Sequence, residues 1–143
     1  MSGALGTAIA GWAHLYNDNH AVNTTVTFAH FAGVLVGGGL ALSADRAAFS
    51  PLGPAIDPRL HRWVLGALGV VFVSGMLMLL ADLQTYLTSA VFWIKMALVV
   101  GLLANGYARV RVEARGGVWL RRTSALSASL WLLILLAGTM LVS

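Results

Sequence analysis

The sequence predicts an all-helical integral membrane protein with four transmembrane helices, preceded by a short interfacial helix. Of its 143 residues, 59% are hydrophobic and only 10% are charged, whereas charged residues make up about 25% of a typical soluble domain. The eight arginines are confined to two short regions, and four long apolar stretches lie around them. These observations favour a single membrane domain over residues 1–143 and exclude an ordinary soluble globular protein.

Each predicted transmembrane helix comes close to the roughly 20 apolar residues that a bilayer core requires. The four segments are approximately 24–43, 62–82, 91–108 and 123–142. The connection 44–61 holds all three prolines and is predicted to be a loop. The connection 83–90 is short, so the second and third spans are expected to pair as an antiparallel hairpin. Before the four-helix bundle of residues 24–143 lies the segment 1–23, in which helical spacing of apolar residues predicts an amphipathic helix on the outer membrane face.

The placement of the arginines predicts how the protein is oriented. They lie in or beside the connections 44–61 and 109–122, while the connection 83–90 and both termini contain no lysine or arginine. The positive-inside rule places the arginine-rich connections in the cytoplasm and both termini on the outer side. The abundance of alanine, glycine and arginine suggests a bacterium, so the expected location is a bacterial inner membrane with periplasmic termini.

Two ionisable residues lie within the predicted spans, near their outer ends. His30 is roughly 9 Å below the start of the first span at 1.5 Å per residue, and Lys95 lies near the start of the third span. Ionisable side chains are costly to bury in a membrane and therefore indicate a functional site. Gly33, Gly37 and Ala41 follow His30 at helical spacing, so its side of the helix can approach another helix closely. Together, these residues predict one site at the outer ends of the helices.

Both residues also have structural interpretations. His30 could be a neutral imidazole that forms a hydrogen bond with a neighbouring helix. Lys95 could extend to the interface or form an ion pair with Asp82, at the outer end of the second span. Otherwise Lys95 is suited to bind an acidic group of a ligand, such as a porphyrin propionate.

Methionines at similar depth extend the candidate ligand set. Met76 lies near the outer end of the second span, and Met96 directly follows Lys95. With His30, their thioethers would suit a His/Met haem site or a Cu(I) site, although methionine is also a common apolar filler. The other histidines are expected outside this site: His14, His20 and His61.

What is absent narrows the possible chemistry. The chain contains no cysteine, which excludes disulfides and thiolate metal sites. No acidic residue lies in the middle of a predicted span, which disfavours a proton-coupled transporter. The arginines lie beside apolar spans, so the positive net charge indicates membrane orientation rather than nucleic-acid binding.

Three short segments carry a resemblance to a known group of proteins. They are FAHFAG at 28–33, SGML at 74–77 and FWIKMALV at 92–99. Together they resemble the small four-helix bacterial membrane proteins of the membrane protoporphyrinogen oxidase and copper-resistance D-type group. The resemblance implies that haem b is bound, with His30 as its ligand or as the redox-site histidine. It also implies that Lys95 is the partner of a porphyrin carboxylate or of a quinone.

The chain departs from the oxidase family at one position. That family has a histidine late in its third helix, where this chain has Asn105 and Gly106, so no second histidine ligand is expected there. We therefore expect a membrane protein that binds haem b, or copper, for electron transfer or porphyrin oxidation. The alternative is a non-catalytic accessory subunit of a larger membrane complex, or a homo-oligomer, because small residues are abundant and the loops are short.

Overall fold

The computed structural model describes residues 3–47, 58–113 and 118–142, and within them the chain is helical apart from short junctions. The described helices are α1 (Ala4–Asp18), α2 (His20–Ala47), α3 (Pro58–Ala81), α4 (Leu83–Thr88), α5 (Ala90–Glu113) and α6 (Val118–Val142). Four of them are long and apolar enough to cross a membrane, over His20–Arg46, Arg62–Ala81, Ala90–Ala108 and Arg121–Met140. The predicted all-helical class and the four long apolar helices are therefore confirmed.

The first long helix extends further than the sequence pattern predicts. α2 begins at His20 and continues to Ala47, so Asp45 lies in its last turn instead of in a loop. Its side chain is only 2% exposed. The helix continues because the residues after the apolar stretch are compatible with a helix, and Arg46 in the last turn complements the negative end of the helix dipole. Of the rest of the predicted loop, residues 58–61 form the start of α3, and residues 48–57 lie outside the described residues.

The predicted hairpin between the second and third spans is wrong. α3 packs against α2, α5 packs against α6, and contact between α2 and α6 joins the two pairs. The axes of packed helices are about 8–10 Å apart, so some of their Cα atoms come closer together than 8 Å. No Cα atom of α3 lies within 8 Å of a Cα atom of α5, so these two helices are not packed together. The short connection is itself a helix, α4, which separates the ends of α3 and α5. We call the unpacked side between α3 and α5 the open side of the bundle.

The N-terminal helix α1 is present as predicted, but it packs against protein. The indole Nε1 of Trp12 donates a hydrogen bond to the backbone carbonyl of Leu77 in α3, at 2.8 Å. Tyr16 is buried, and its hydroxyl lies 3.2 Å from the hydroxyl of Thr27 in α2. The apolar side of α1 therefore covers one end of the α2–α3 pair.

The centre of the bundle is an apolar cluster contributed by α2, α5 and α6. Its buried members are Val34, Leu102, Trp131 and Ile134. The indole of Trp131 is 4% exposed and fits against α2 because Gly38 has no side chain: a Cβ atom there would lie 3.1 Å from the ring. This cluster fixes the packing between α2 and α6, and therefore the relative position of the two helix pairs.

Close packing between α2 and α3 can be tested with a pair of glycine substitutions. A Cβ atom on Gly33 would lie 2.8 Å from Val71 Cγ2 and 3.2 Å from the Ala67 carbonyl oxygen, whereas one on Gly39 would meet nothing within 4 Å. We expect Gly33→Ala to lower the free energy of unfolding by about 1–3 kcal/mol because the helices must move apart. Gly39→Ala should be neutral or slightly stabilising, because alanine favours a helix.

The measurement is unfolding of each variant in mild detergent, followed by circular dichroism. Equal free energies of unfolding for the two variants would contradict the described contact between α2 and α3.

Candidate functional site

The imidazole of His30 is buried between α2 and α3. It is 7% exposed, and its Nδ1 lies 3.0 Å from the Ser74 hydroxyl and 3.2 Å from the Val71 carbonyl oxygen. Gly75 leaves space for the ring, because a Cβ atom there would lie 3.2 Å from His30 Cε1. Val71, Ser74 and Gly75 follow the spacing of one helix face, so one side of α3 forms the pocket wall for the ring.

The contacts of Nδ1 favour one tautomer of His30. The Val71 carbonyl, 3.2 Å away, can only accept a hydrogen bond, and the Ser74 hydroxyl lies within donor distance of the Val70 and Val71 carbonyls, at 2.6 and 3.2 Å. If the hydroxyl donates to a backbone carbonyl, both neighbours of Nδ1 accept from it, and we infer a hydrogen on Nδ1 of His30. In the neutral ring Nε2 then carries the lone pair, which can accept a hydrogen bond or bind a metal.

Lys95 meets this lone pair from the other helix pair. Its Nζ lies 3.4 Å from His30 Nε2, so the side chain reaches across the bundle from α5 to α2. Next to it, a Cβ atom on Gly138 of α6 would lie 3.7 Å from Nζ, and glycine therefore leaves space beside the amine. We call the group formed by His30, Ser74 and Lys95 the histidine–lysine site. It brings together the two ionisable residues that the sequence places at similar depth.

The structure does not form the predicted ion pair between Asp82 and Lys95. Asp82 lies before α4, where its carboxylate accepts a hydrogen bond from the Thr85 backbone N–H at 3.1 Å. This N-cap contact satisfies a donor that the helix leaves without a partner. Within the described residues, no carboxylate lies within the 4.0 Å of Lys95 that would define a salt bridge.

The two predicted methionine ligands are not brought into the histidine–lysine site. Met76 is 41% exposed, and none of the described hydrogen bonds reaches its sulfur. Met96 follows Lys95 directly, so it points about 100° away around α5. Met78 lies one turn beyond Ser74 on the same face of α3, and it is the methionine whose register fits the site better.

The remaining polar candidates lie elsewhere. His14 is on the exposed side of α1, 2.8 Å from Asp18, and His20 lies 2.8 Å from the Thr24 hydroxyl. The side chain of His61 lies outside the described residues. Across the described ranges, no group of three or more His, Cys, Asp or Glu side chains is placed to hold a metal ion.

Asn105, at the position where the oxidase family has a histidine, has a structural role in this chain. It is 7% exposed, and its Nδ2 donates a hydrogen bond to the Thr123 carbonyl in α6 at 2.9 Å. Three further buried polar residues occur towards the same end of the bundle: Asp45, Ser124 and Ser127. This polar layer lies beyond the apolar cluster as seen from His30, so it belongs to a different part of the bundle.

Two features of the site were not predicted from the sequence. Ser74 and Gly75 could have been identified from helical spacing, because they share a face with Val71 and a serine within an apolar span needs a hydrogen-bond partner. No sequence pattern identifies Gly138 in the same way, because its place beside the site depends on where the Lys95 amine lies in the folded protein.

Comparison with protein families, curated proteins and solved structures finds no match to this chain. The resemblance carried by residues 28–33, 74–77 and 92–99 therefore remains a hypothesis. The chemistry of the site has to be inferred from its own atoms.

The N-cap contact of Asp82 predicts a pH dependence at α4. Hydrogen bonds from the side chain and the backbone N–H of Thr85 hold the pKa of Asp82 below its ordinary value. A carboxyl with a lowered pKa in the folded state contributes stability at pH values above its unfolded pKa. That contribution is lost as the pH falls through its folded pKa. We therefore expect the protection of the Thr85 amide, measured as its exchange rate relative to an unstructured peptide at the same pH, to fall only at acidic pH.

The measurement is a carbon-13 NMR titration of the Asp82 carboxyl together with Thr85 amide exchange. Asp82→Asn keeps an acceptor at the N-cap but should remove the pH dependence of this Thr85 protection. Titration of Asp82 at the ordinary aspartate pKa would contradict the described contact.

Proposed function

We propose that this protein binds haem b in a membrane, where His30 would be a ligand of the iron and Lys95 would be the partner of a haem propionate. The observation that carries the proposal is the contact of His30 Nδ1 with the Val71 carbonyl and the Ser74 hydroxyl. Histidines that bind metals almost always donate the other ring N–H to a carbonyl, a carboxylate or water, which orients the ring and raises its basicity. Val71 and Ser74 serve that purpose here, at 3.2 and 3.0 Å.

Lys95 supports a ligand that carries negative charge. Within the described residues it has no carboxylate in salt-bridge range, and an uncompensated cation is costly within an apolar span. An acidic group on the ligand would offset that cost. Because Lys95 Nζ contacts the lone pair on His30 Nε2, binding requires the amine to leave this nitrogen for the acidic group.

The open side of the bundle supports a broad, flat ligand. The separation of α3 and α5 leaves one side of the histidine–lysine site without a packed helix, and Gly75 and Gly138 place no side chains against the imidazole or the amine. Haem bound there would supply one-electron chemistry, for electron transfer or porphyrin oxidation. The orientation that the arginines predict would put the site in the outer leaflet.

Haem binding is tested by the absorption spectrum of the purified protein after expression with a haem supply. We expect a Soret band in the wild type and none in His30→Ala, because the ligating nitrogen is removed. Met76→Leu is the matched control and should keep the band, because Met76 lies outside the site. A colourless wild-type protein that retains its helical circular dichroism would overturn the proposal.

The supporting residues of the site should have graded effects on haem affinity. Loss of an outer-shell partner of a metal-binding histidine typically weakens binding about 10–100-fold. We expect Ser74→Ala to weaken haem binding by an amount near the lower end of this range, because the Val71 carbonyl still orients His30. Lys95→Met should weaken haem binding but not the binding of a porphyrin whose carboxylates are esterified. Equal loss for both ligands would contradict the propionate role of Lys95.

A second candidate function, an accessory subunit, is favoured by the exposed side of α3. A groove of about 500 Å³ lies between α2 and α3 and is lined mainly by small and apolar residues: Thr25, Val26, Ala29, Gly66, Gly69, Val70, Val73, Ser74 and Leu77. Small residues at such a surface let a second transmembrane helix approach closely. Gly66→Leu with Gly69→Leu should then abolish a stoichiometric complex in native membranes while leaving the haem spectrum unchanged.

A further inference from the structure

Helix α1 lies one helical turn beyond His30, at the end of the bundle where α2 and α5 begin. The indole of Trp12 donates its hydrogen bond to the Leu77 carbonyl, one turn beyond the serine that contacts the imidazole. The hydroxyl of Tyr16 meets Thr27, which lies three residues before His30 in α2. Residues three apart share a helix face and are about 4.5 Å apart along its axis. α1 therefore covers the α2–α3 interface directly beyond the imidazole.

The Lys95 side of the site is covered at the same level. Phe92 lies three residues before Lys95 in α5, and its ring packs against Tyr86 of α4 with the ring centroids 5.9 Å apart. Burial raises the pKa of Tyr86, and the nearby Tyr16 and Asp82 raise it further, so the side chains of α1 and α4 lie near one another. We call α1, α4 and the ring of Phe92 the end cover.

Further contacts hold α1 in place on α3. The side-chain amide of Asn17 donates a hydrogen bond to the carbonyl of Ala81, the last residue of α3, at 3.5 Å. Carbonyl groups in the last turn of a helix have no partner within the helix, so this contact satisfies one of them. The rings of Trp12 and Tyr16 also pack against each other, with their centroids 5.9 Å apart. The end cover therefore separates the buried imidazole from water at this end of the bundle.

The long helices surround the site on three sides only. α3 packs against α2, α2 against α6, and α6 against α5, whereas the fourth side, between α3 and α5, is the open side. Val73 and Gly75 lie on opposite flanks of Ser74, each about 100° around the helix from it. Val73 lines the groove between α2 and α3, so Gly75 lies on the flank towards the open side. Because glycine has no side chain, α3 leaves this side open beside the imidazole.

With the four apolar helices in a membrane, the open side would face lipid. His30 and Lys95 both lie within the apolar spans, which cover His20–Arg46 and Ala90–Ala108. Acyl chains rather than water would therefore border the gap between α3 and α5 at this depth. The site is thus covered towards water and open towards lipid.

We propose that the ligand of the histidine–lysine site comes from the membrane and enters through the open side, while the end cover excludes solutes of the aqueous phase. The ligand class is then a mostly apolar molecule, soluble in lipid, with an acidic group that can reach Lys95. This inference rests on the proposed function only for the identity of that ligand as haem b. Its test uses haem-free protein, so failure of the route and failure of haem binding are distinguishable.

The route is tested by chemical labelling of Lys95, the one lysine of the chain. The haem-free full chain in lipid nanodiscs is treated with two acetylating succinimidyl esters that differ only in a sulfonate group, and mass spectrometry quantifies the acetyl group on Lys95. A soluble lysine peptide in the same sample corrects for the strength of each ester. Both esters react with the same amine, so its intrinsic reactivity cancels in the ratio. We expect the sulfonated ester to label Lys95 at least about tenfold more slowly, because its charge is excluded from lipid.

Substitutions in α1 test the end cover itself. Trp12→Ala with Tyr16→Ala removes its contacts with α3 and α2, and it should raise the rate for the sulfonated ester several-fold without changing the rate for the uncharged ester. Leu5→Ala with Leu15→Ala is the matched control and should change neither rate, because both leucines are exposed, at 71% and 48%. Trp12→Phe removes only the hydrogen bond to α3 and should give a smaller change in the same direction.

Three results would overturn the proposal. Equal corrected rates for the two esters in the wild type would mean that water reaches the site. Absence of labelling by the uncharged ester, under conditions that acetylate the reference peptide fully, would mean that the open side does not lead to the amine. An equal response of the two double variants would mean that α1 is not the barrier. If circular dichroism shows that the alanine variant has lost its helices, the wild-type ratio and Trp12→Phe decide.

Discussion

The imidazole of His30 connects helices that do not all pack against one another. Its Nδ1 meets α3 through Ser74 and Val71, and its Nε2 meets α5 through Lys95. Because α3 and α5 themselves remain apart, this ring provides a polar link between the two helix pairs. Polar groups within an apolar span must find partners inside the protein, so the position of the ring constrains both pairs.

Along its length the bundle consists of successive polar and apolar layers. The histidine–lysine site occupies one end, the apolar cluster around Trp131 lies in the middle, and a buried polar layer that includes Asn105 comes before the opposite end. Two glycines leave space for large or polar side chains in this arrangement: Gly38 faces the indole of Trp131, and Gly75 faces the imidazole of His30. The two ends of the bundle are thus separated by a packed apolar layer.

The sequence predicts the long helices well because apolar length is a local property that the bilayer thickness fixes. It also places His30 and Lys95 at similar depth, since depth follows from counting residues along a helix. Their direct contact is not predictable in this way, and neither is the open side. The hairpin prediction failed because it treated 83–90 as a simple connection, although Asp82 followed by Thr85 at N-cap spacing is a recognisable start for α4. The proposed role of Met76 depended on depth alone, whereas a ligand must also share the correct helix face.

From its contacts we infer that His30 is held with a hydrogen on Nδ1 and a lone pair on Nε2 directed at Lys95. Nitrogen-15 NMR of the imidazole in the haem-free protein, at a pH where His30 is neutral, distinguishes the two ring nitrogens directly. We expect a protonated Nδ1 and an unprotonated Nε2 whose chemical shift changes in Lys95→Met. A protonated Nε2 in the neutral ring would contradict it, because that nitrogen could then neither accept a hydrogen bond from Lys95 nor bind a metal.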